Sequence, residues 1–190
     1  MSYRDLVCGV GLNDADYVVR PVSGAACIFY RRWADMIKRC YANSSGQYKT
    51  YEDCYVCDEW LTFSNFKRWM ETQEFSGKEL DKDILVKGNR VYSPSTCVFV
   101  SHLVNSFILG KSSSTGNLPV GVSFQKGRGK YSAKCKNWTN GKYEHIGLYE
   151  TPALAEDAWR KRKHELACQL ADLQADERVA NALRTRYLPR

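Results

Sequence analysis

The chain has 190 residues, a formal net charge of +7, 44% hydrophobic residues and eight cysteines. That length suits one ordinary domain or two small ones. No apolar run approaches the roughly 20 residues of a membrane helix, and Tyr3, Arg4 and Asp5 interrupt the start before a signal-peptide core forms. The positive balance favours a polyanionic partner. Nucleic acid stands ahead of membrane, because no basic amphipathic helix with an apolar stripe stands alone. Eight cysteines without an export signal read as thiols or metal ligands, and the cytoplasm is the expected compartment.

Residues 1–28 read as an arm with a short strand around Tyr17, Val18 and Val19. In FYRRWADMIKRCY, Phe29, Trp33, Met36, Ile37 and Cys40 recur at helical spacing, with Arg31, Arg32, Lys38 and Arg39 outward. A polar loop, ANSSGQYKT, and a short strand or irregular piece, YEDCYVCDEW, lead to a second amphipathic helix, LTFSNFKRWMETQ. Its Phe63, Phe66, Trp69 and Met70 are the expected core face.

Leu80 to Ser106 reads as a strand, a polar loop turning at Gly88-Asn89, a buried return strand Val98-Phe99-Val100, and a helix. Leu80, Ile84 and Val86 are the apolar positions of the first strand, and Ser101 is the expected cap. The helix turns Leu103, Val104 and Phe107 inward and His102 and Asn105 elsewhere. Asp81 at the strand end and Asn105 on the helix supply two hard oxygens of the kind that bind a divalent cation.

Gly110 to Asn117, GKSSSTGN, has no apolar periodicity and is the expected linker. Three short strands follow, LPVGVSFQ, KYSAKCK and YEHIGLYE. Thr151 caps a helix with Pro152 at its first position and Leu154, Ala155, Ala158 and Trp159 as one apolar patch; a last helical piece covers 177–186. In the middle strand Tyr131, Ala133 and Cys135 fall on one face and Lys130, Ser132, Lys134 and Lys136 on the other. Between residues 119 and 145 six Lys or Arg face one acid, Glu144, so the sheet is expected to present a basic face.

Residues 8 to 107 resemble the HNH, or His-Me finger, nucleases, and within them a phage-encoded homing-type subgroup. The shared motifs are GVGLND, YRRWADMIKRCY, VCDEWLTFSNF and LDKD…GNRVYSPSTCVFV. The resemblance implies a degenerate ββα-metal module. Asp81 matches the family's strand-end Asp, Asn89 its loop Asn and Asn105 its helix Asn. Lys82 stands where the family has its general-base His. An imidazole gives up a proton near ambient pH, whereas an ammonium flanked by Asp81 and Asp83 is held charged. Lys82 is then a phosphate clamp, or His102 is the base, or the site only binds. Many HNH proteins also carry a four-cysteine zinc site; Cys54 and Cys57 would need Cys40 and Cys97 as the second pair.

GVSF…GKYSAKC…HIGLYETPALAEDAW resembles the plant ethylene-response-factor (APETALA-type) DNA-binding domain, a three-stranded sheet on one helix that also occurs in phage homing endonucleases. By position its reading residues are Arg128, Lys130, Lys134, Lys136 and Trp138. The chain is thus expected to be α+β: an HNH-like module over 1–109, a linker over 110–117, and a DNA-reading module over 118–190. The implied function is a Mg²⁺- or Mn²⁺-dependent endonuclease, a hydrolase nicking or cutting double-stranded DNA. The alternative is an inactive HNH-derived DNA-binding or inhibitory protein.

Overall fold

A computed structural model describes residues 6–42, 49–109 and 118–188. It is mixed α+β, with five α-helices among the described residues and one three-stranded antiparallel sheet. The chain divides into two units, 1–101 and 102–190. The expected linker, 110–117, lies outside the described residues. Helix His102–Leu109 groups with the second unit.

In the first unit α1 (Ile28–Tyr41) and α2 (Phe63–Glu71) form where the apolar spacing puts them. Tyr30, Trp33, Met36, Ile37 and Cys40 are buried along one stripe of α1, and Lys38 and Arg39 sit in its last turn, where the helix dipole favours cations. Trp33 is the hub of this core. It is fully buried, its ring lies 5.5 Å from that of Phe63, and its indole N–H donates to the Trp60 carbonyl at 2.7 Å. Trp60 itself lies 4.5 Å from Trp69 and 5.1 Å from Phe66, ring centre to ring centre. Such an aromatic cluster contributes packing beyond its buried area.

The segment around Tyr17 is not a strand. Val19 is buried but Val18 is exposed, and no neighbouring strand pairs with it. Only two isolated bridges order the arm among the described residues, Val7 with Gly11 and Leu12 with Thr62. Two-residue strands β1 (Tyr55–Val56) and β3 (Val91–Tyr92) pair in parallel, a long-range contact that no local pattern announces. Strand β2 (Lys78–Asp81) pairs antiparallel with β4 (Val98–Ser101), Leu80 opposite Phe99 and Asp81 opposite Val98. The expected first strand is shorter than its apolar residues suggest: it ends at Asp81, Ile84 is buried in the following loop, and Val86 is exposed.

The second unit opens with α3 (His102–Leu109), which buries Val104 and Phe107 and leaves Leu103, expected inward, exposed. Its sheet runs β5 (Val122–Gln125), β6 (Lys130–Lys136), β7 (Tyr143–Tyr149), all antiparallel in that order. Helix α4 (Pro152–Ala171) starts as expected: the Thr151 hydroxyl accepts the Leu154 N–H at 3.3 Å and Pro152 opens the first turn. Ala155 packs against Val122 and Ala133 of the sheet, with Trp159 alongside. Leu154 is exposed instead, so the expected four-residue patch reduces to its sheet-facing members. Toward its C-terminus α4 buries Leu166, Ala167, Leu170 and Ala171, and packs on α5 (Glu177–Arg186), which buries Val179, Ala180 and Leu183. Asp176 caps α5, its carboxylate accepting the Arg178 N–H at 2.9 Å. Among the described residues no helix is long and apolar enough to cross a membrane.

Candidate functional site

The loop after β2 gathers three of the expected residues. Asp81 ends the strand because one carboxylate oxygen, Oδ1, accepts the N–H groups of Asp83 (2.9 Å) and Ile84 (2.7 Å), turning the chain. Burial and the neighbouring Asp83 push the Asp81 carboxyl above the ordinary aspartate range, against the pull of those two amides and of Lys82. Lys82 is buried. Its ammonium donates to the Asn89 carbonyl at 3.1 Å and to Asp83 Oδ2 at 3.3 Å, and lies 5.8 Å from the Tyr51 ring centre.

Asn89 holds the far side of the loop. Its amide nitrogen donates to the carbonyls of Lys82 and Val91, each at 2.7 Å, and its amide oxygen accepts the Val91 N–H at 3.2 Å. Each polar group of that side chain is therefore engaged in shaping the backbone, which makes Asn89 a positioning residue. Thr96 extends the same network, donating from its hydroxyl to the Val91 carbonyl at 2.8 Å. Sequence reasoning read Asp83 only as a flanking charge and missed Thr96. The signals were present: a D-K-D triplet at a strand end, and the S-P-S-T run whose hydroxyls satisfy turn backbone.

The other expected residues of this set are His102, Asn105 and four cysteines. His102 and Asn105 belong to α3 of the second unit, His102 exposed and Asn105 half-buried. All eight cysteines are free thiols. Cys40, Cys54 and Cys97 are core residues of the first unit and Cys57 packs against that core. Burial pushes the Cys40 thiol up to about 12, with Cys54 adding to it, and likewise pushes Cys97 up to about 12. These thiols stay protonated and serve as small apolar residues. Among the described residues no three His, Cys, Asp or Glu side chains are gathered where they could hold a metal ion.

The second constellation is the sheet. Lys134 and Lys136 are exposed on β6, opposite His145 and Tyr143 of β7, which are exposed too. Arg128, in the turn before β6, is exposed, and Lys130 pairs with Glu150 at 2.7 Å. Glu144, the acid within the sheet, points to the other side. Arg162 of α4 contacts both its oxygens, at 2.8 and 3.2 Å, and together with Asn137 holds its carboxyl below the ordinary glutamate range. The helix thus withdraws the sheet's acid from the lysine-bearing face.

Two expected members of that face are placed differently. Ser132 is buried, being a small side chain in the central strand between Ser123 and Leu148. Trp138 is turned to the helix, its indole N–H donating to the Leu166 carbonyl at 3.0 Å. That bond anchors the β6–β7 turn to α4. A bulge at Ala133/Lys134, where β7 carries the extra residue Ile146, re-aims the C-terminal half of β6.

No family model, curated protein or solved structure that was compared matches this chain.

Proposed function

We propose that this protein acts on double-stranded DNA, with the outer face of β5–β7 meeting the duplex and a degenerate HNH-type loop at Asp81 cutting it. The observation that carries the reading is the sorting of charge on the sheet: Lys134 and Lys136 stand exposed on one side, while Glu144 is drawn to the other by Arg162. Lys130 of the same strand is held by Glu150, but Lys134 and Lys136, exposed with Glu144 drawn to the helix side, suit phosphates on both rims of a groove. The fit of the loop to a hard divalent cation rests on its donors. Burial and the nearby Asp83 make the charge of the Asp81 carboxylate costly, and a cation there would offset this. Mg²⁺ or Mn²⁺ bound there would supply charge stabilisation for a scissile phosphate. Asp81 would hold it, Asn89 would keep the loop in shape, and Lys82 would present positive charge.

A second reading, DNA binding without cutting, is favoured by the ammonium of Lys82, which is engaged by Asn89 and Asp83 in the place of a general base. A plasmid-nicking assay with Mg²⁺ or Mn²⁺ decides between them. Cutting is expected, and Asp81→Ala should remove it while duplex affinity persists. Absence of cutting by a wild-type protein that binds the same plasmid selects the second reading.

DNA binding itself is tested by charge removal. Lys134→Gln with Lys136→Gln should weaken duplex affinity and lower the slope of log affinity against log salt by roughly two, one counterion per lost phosphate contact. Fluorescence anisotropy over a salt series measures it, and an unchanged slope would place the duplex elsewhere.

A further inference from the structure

Inside the second unit lies a cavity of about 320 Å³, between α3, the β6–β7 end of the sheet and α4. That is within the size range of small-ligand sites. Its walls are aromatic: Phe107, Trp138, Tyr143 and Trp159 all line it. Its charged groups are cationic: Lys134, Lys136 and Lys163 line it, and among the described residues no Asp or Glu does. Flat apolar walls with a positive rim complement a flat ring that carries an anion.

Two of those lysines, Lys134 and Lys136, also form the exposed face proposed for DNA. A strand whose phosphates meet them has its bases beside the cavity mouth. Lys163 is the buried member. Its ammonium donates to the Phe107 carbonyl at 2.8 Å and sits 3.4 Å over the Phe107 ring centre, and an ammonium has two further N–H donors for the edge of a base. Trp138 is held rigid by its bond to Leu166, so a stacking wall is already in place.

We infer that this cavity takes a single nucleotide unit, its base stacked between the aromatic walls and its phosphate on Lys134 and Lys136. The inference rests on the DNA-binding reading only for the source of the nucleotide. A base extruded from the bound duplex and a free mononucleotide share this chemistry.

Ser106 is exposed and lines the cavity, so Ser106→Trp places an indole in it while both lysines are kept; Ser106→Ala is the control. Affinity is measured on a short duplex, matched or with one mismatched pair, and by calorimetric titration with deoxyadenosine monophosphate. If the base is extruded, wild type and Ser106→Ala bind the mismatched duplex about tenfold more tightly, because an unpaired base unstacks at lower cost. Ser106→Trp then levels the two duplexes while keeping the matched affinity. If the source is free nucleotide, the monophosphate binds and Ser106→Trp removes it, whether or not duplex is bound. No mismatch preference together with no monophosphate binding overturns the inference, even where duplex affinity is intact; loss of all duplex affinity alone overturns only the DNA reading.

Discussion

Gly121→Ala is expected to destabilise the second unit by about 2–5 kcal/mol and to take duplex binding with it. Gly121 has φ of +78°, where an L side chain carries roughly 1–2 kcal/mol of strain. Its Cβ would also fall onto the indole of Trp159, at atoms Cδ1 and Nε1. That ring cannot step aside easily: it packs on the Val122–Ala133–Ala155 cluster and lies edge-on to Tyr187. Overpacking of this kind adds roughly 1–3 kcal/mol. Against a net stability of about 5–15 kcal/mol for a typical domain, the sum is large. Gly88→Ala is the matched control. Its φ is also +78°, but nothing lies within 4 Å of the added carbon, so only the backbone strain remains. Hydrogen exchange separates the two. Gly121→Ala should accelerate exchange across β6 and α4 and leave α1 protected. Equal effects from both substitutions would mean that the Trp159 contact is not what selects glycine.

Lys163→Met is expected to change the pH dependence of stability by about 3 kcal/mol. Lys163 is 7% exposed, and burial pulls its amine down to about 8 from 10.5, with Cys135 pulling the other way. Below pH 8 both folded and unfolded chains carry the proton, and the full cost of burying the charge is present. Between about 8 and 10.5 the unfolded chain keeps a proton that the folded one has released, so this residue makes stability rise with pH across that window. At about 1.36 kcal/mol per pH unit, the window is worth about 3 kcal/mol. Methionine has no such window. Chemical denaturation at pH 7 and near pH 10.5 should therefore show wild type gaining that amount relative to the variant. The raised thiols of Cys40 and Cys97 lose stability above pH 9 in both proteins and cancel in the comparison. The charge is tolerated because the Phe107 carbonyl is among the last four of α3, which have no partner within the helix, and an ammonium suits that dipole end. Parallel pH curves for the two proteins would mean that Lys163 is solvated.

The local elements were legible in the chain itself. The helical recurrence of Phe29, Trp33, Met36, Ile37 and Cys40 marks α1 in the sequence, although the structure buries Tyr30 more fully than Phe29. Thr151-Pro152 and Asp176 mark helix starts through hydrogen bonds made within one turn. From Ala133 to Lys136 the residues of β6 alternate between buried and exposed as a strand must, and Ser132 is the exception. Of the candidate site, the cluster of Asp81, Lys82 and Asn89 could be read because all three act within nine residues of chain.

What the sequence hid was of another kind. Lys163 sits in an R-K-R-K run that reads as a solvated helix face, and nothing in that run separates the buried lysine from its exposed neighbour Lys161. Trp138 reads as an exposed sheet aromatic until α4 offers it a carbonyl.

By itself the sequence determined where the helices form, that the second unit's sheet is basic, and that the loop after Asp81 is built from polar side chains close in the chain. Each of these depends on residues a few positions apart, whose energetics are set by local backbone geometry. Only the tertiary structure decided the β1–β3 pairing, the removal of Glu144 to the helix side, and the aromatic cavity around Lys163. Those contacts join residues far apart in the chain, and packing, not spacing, selects which side chains meet.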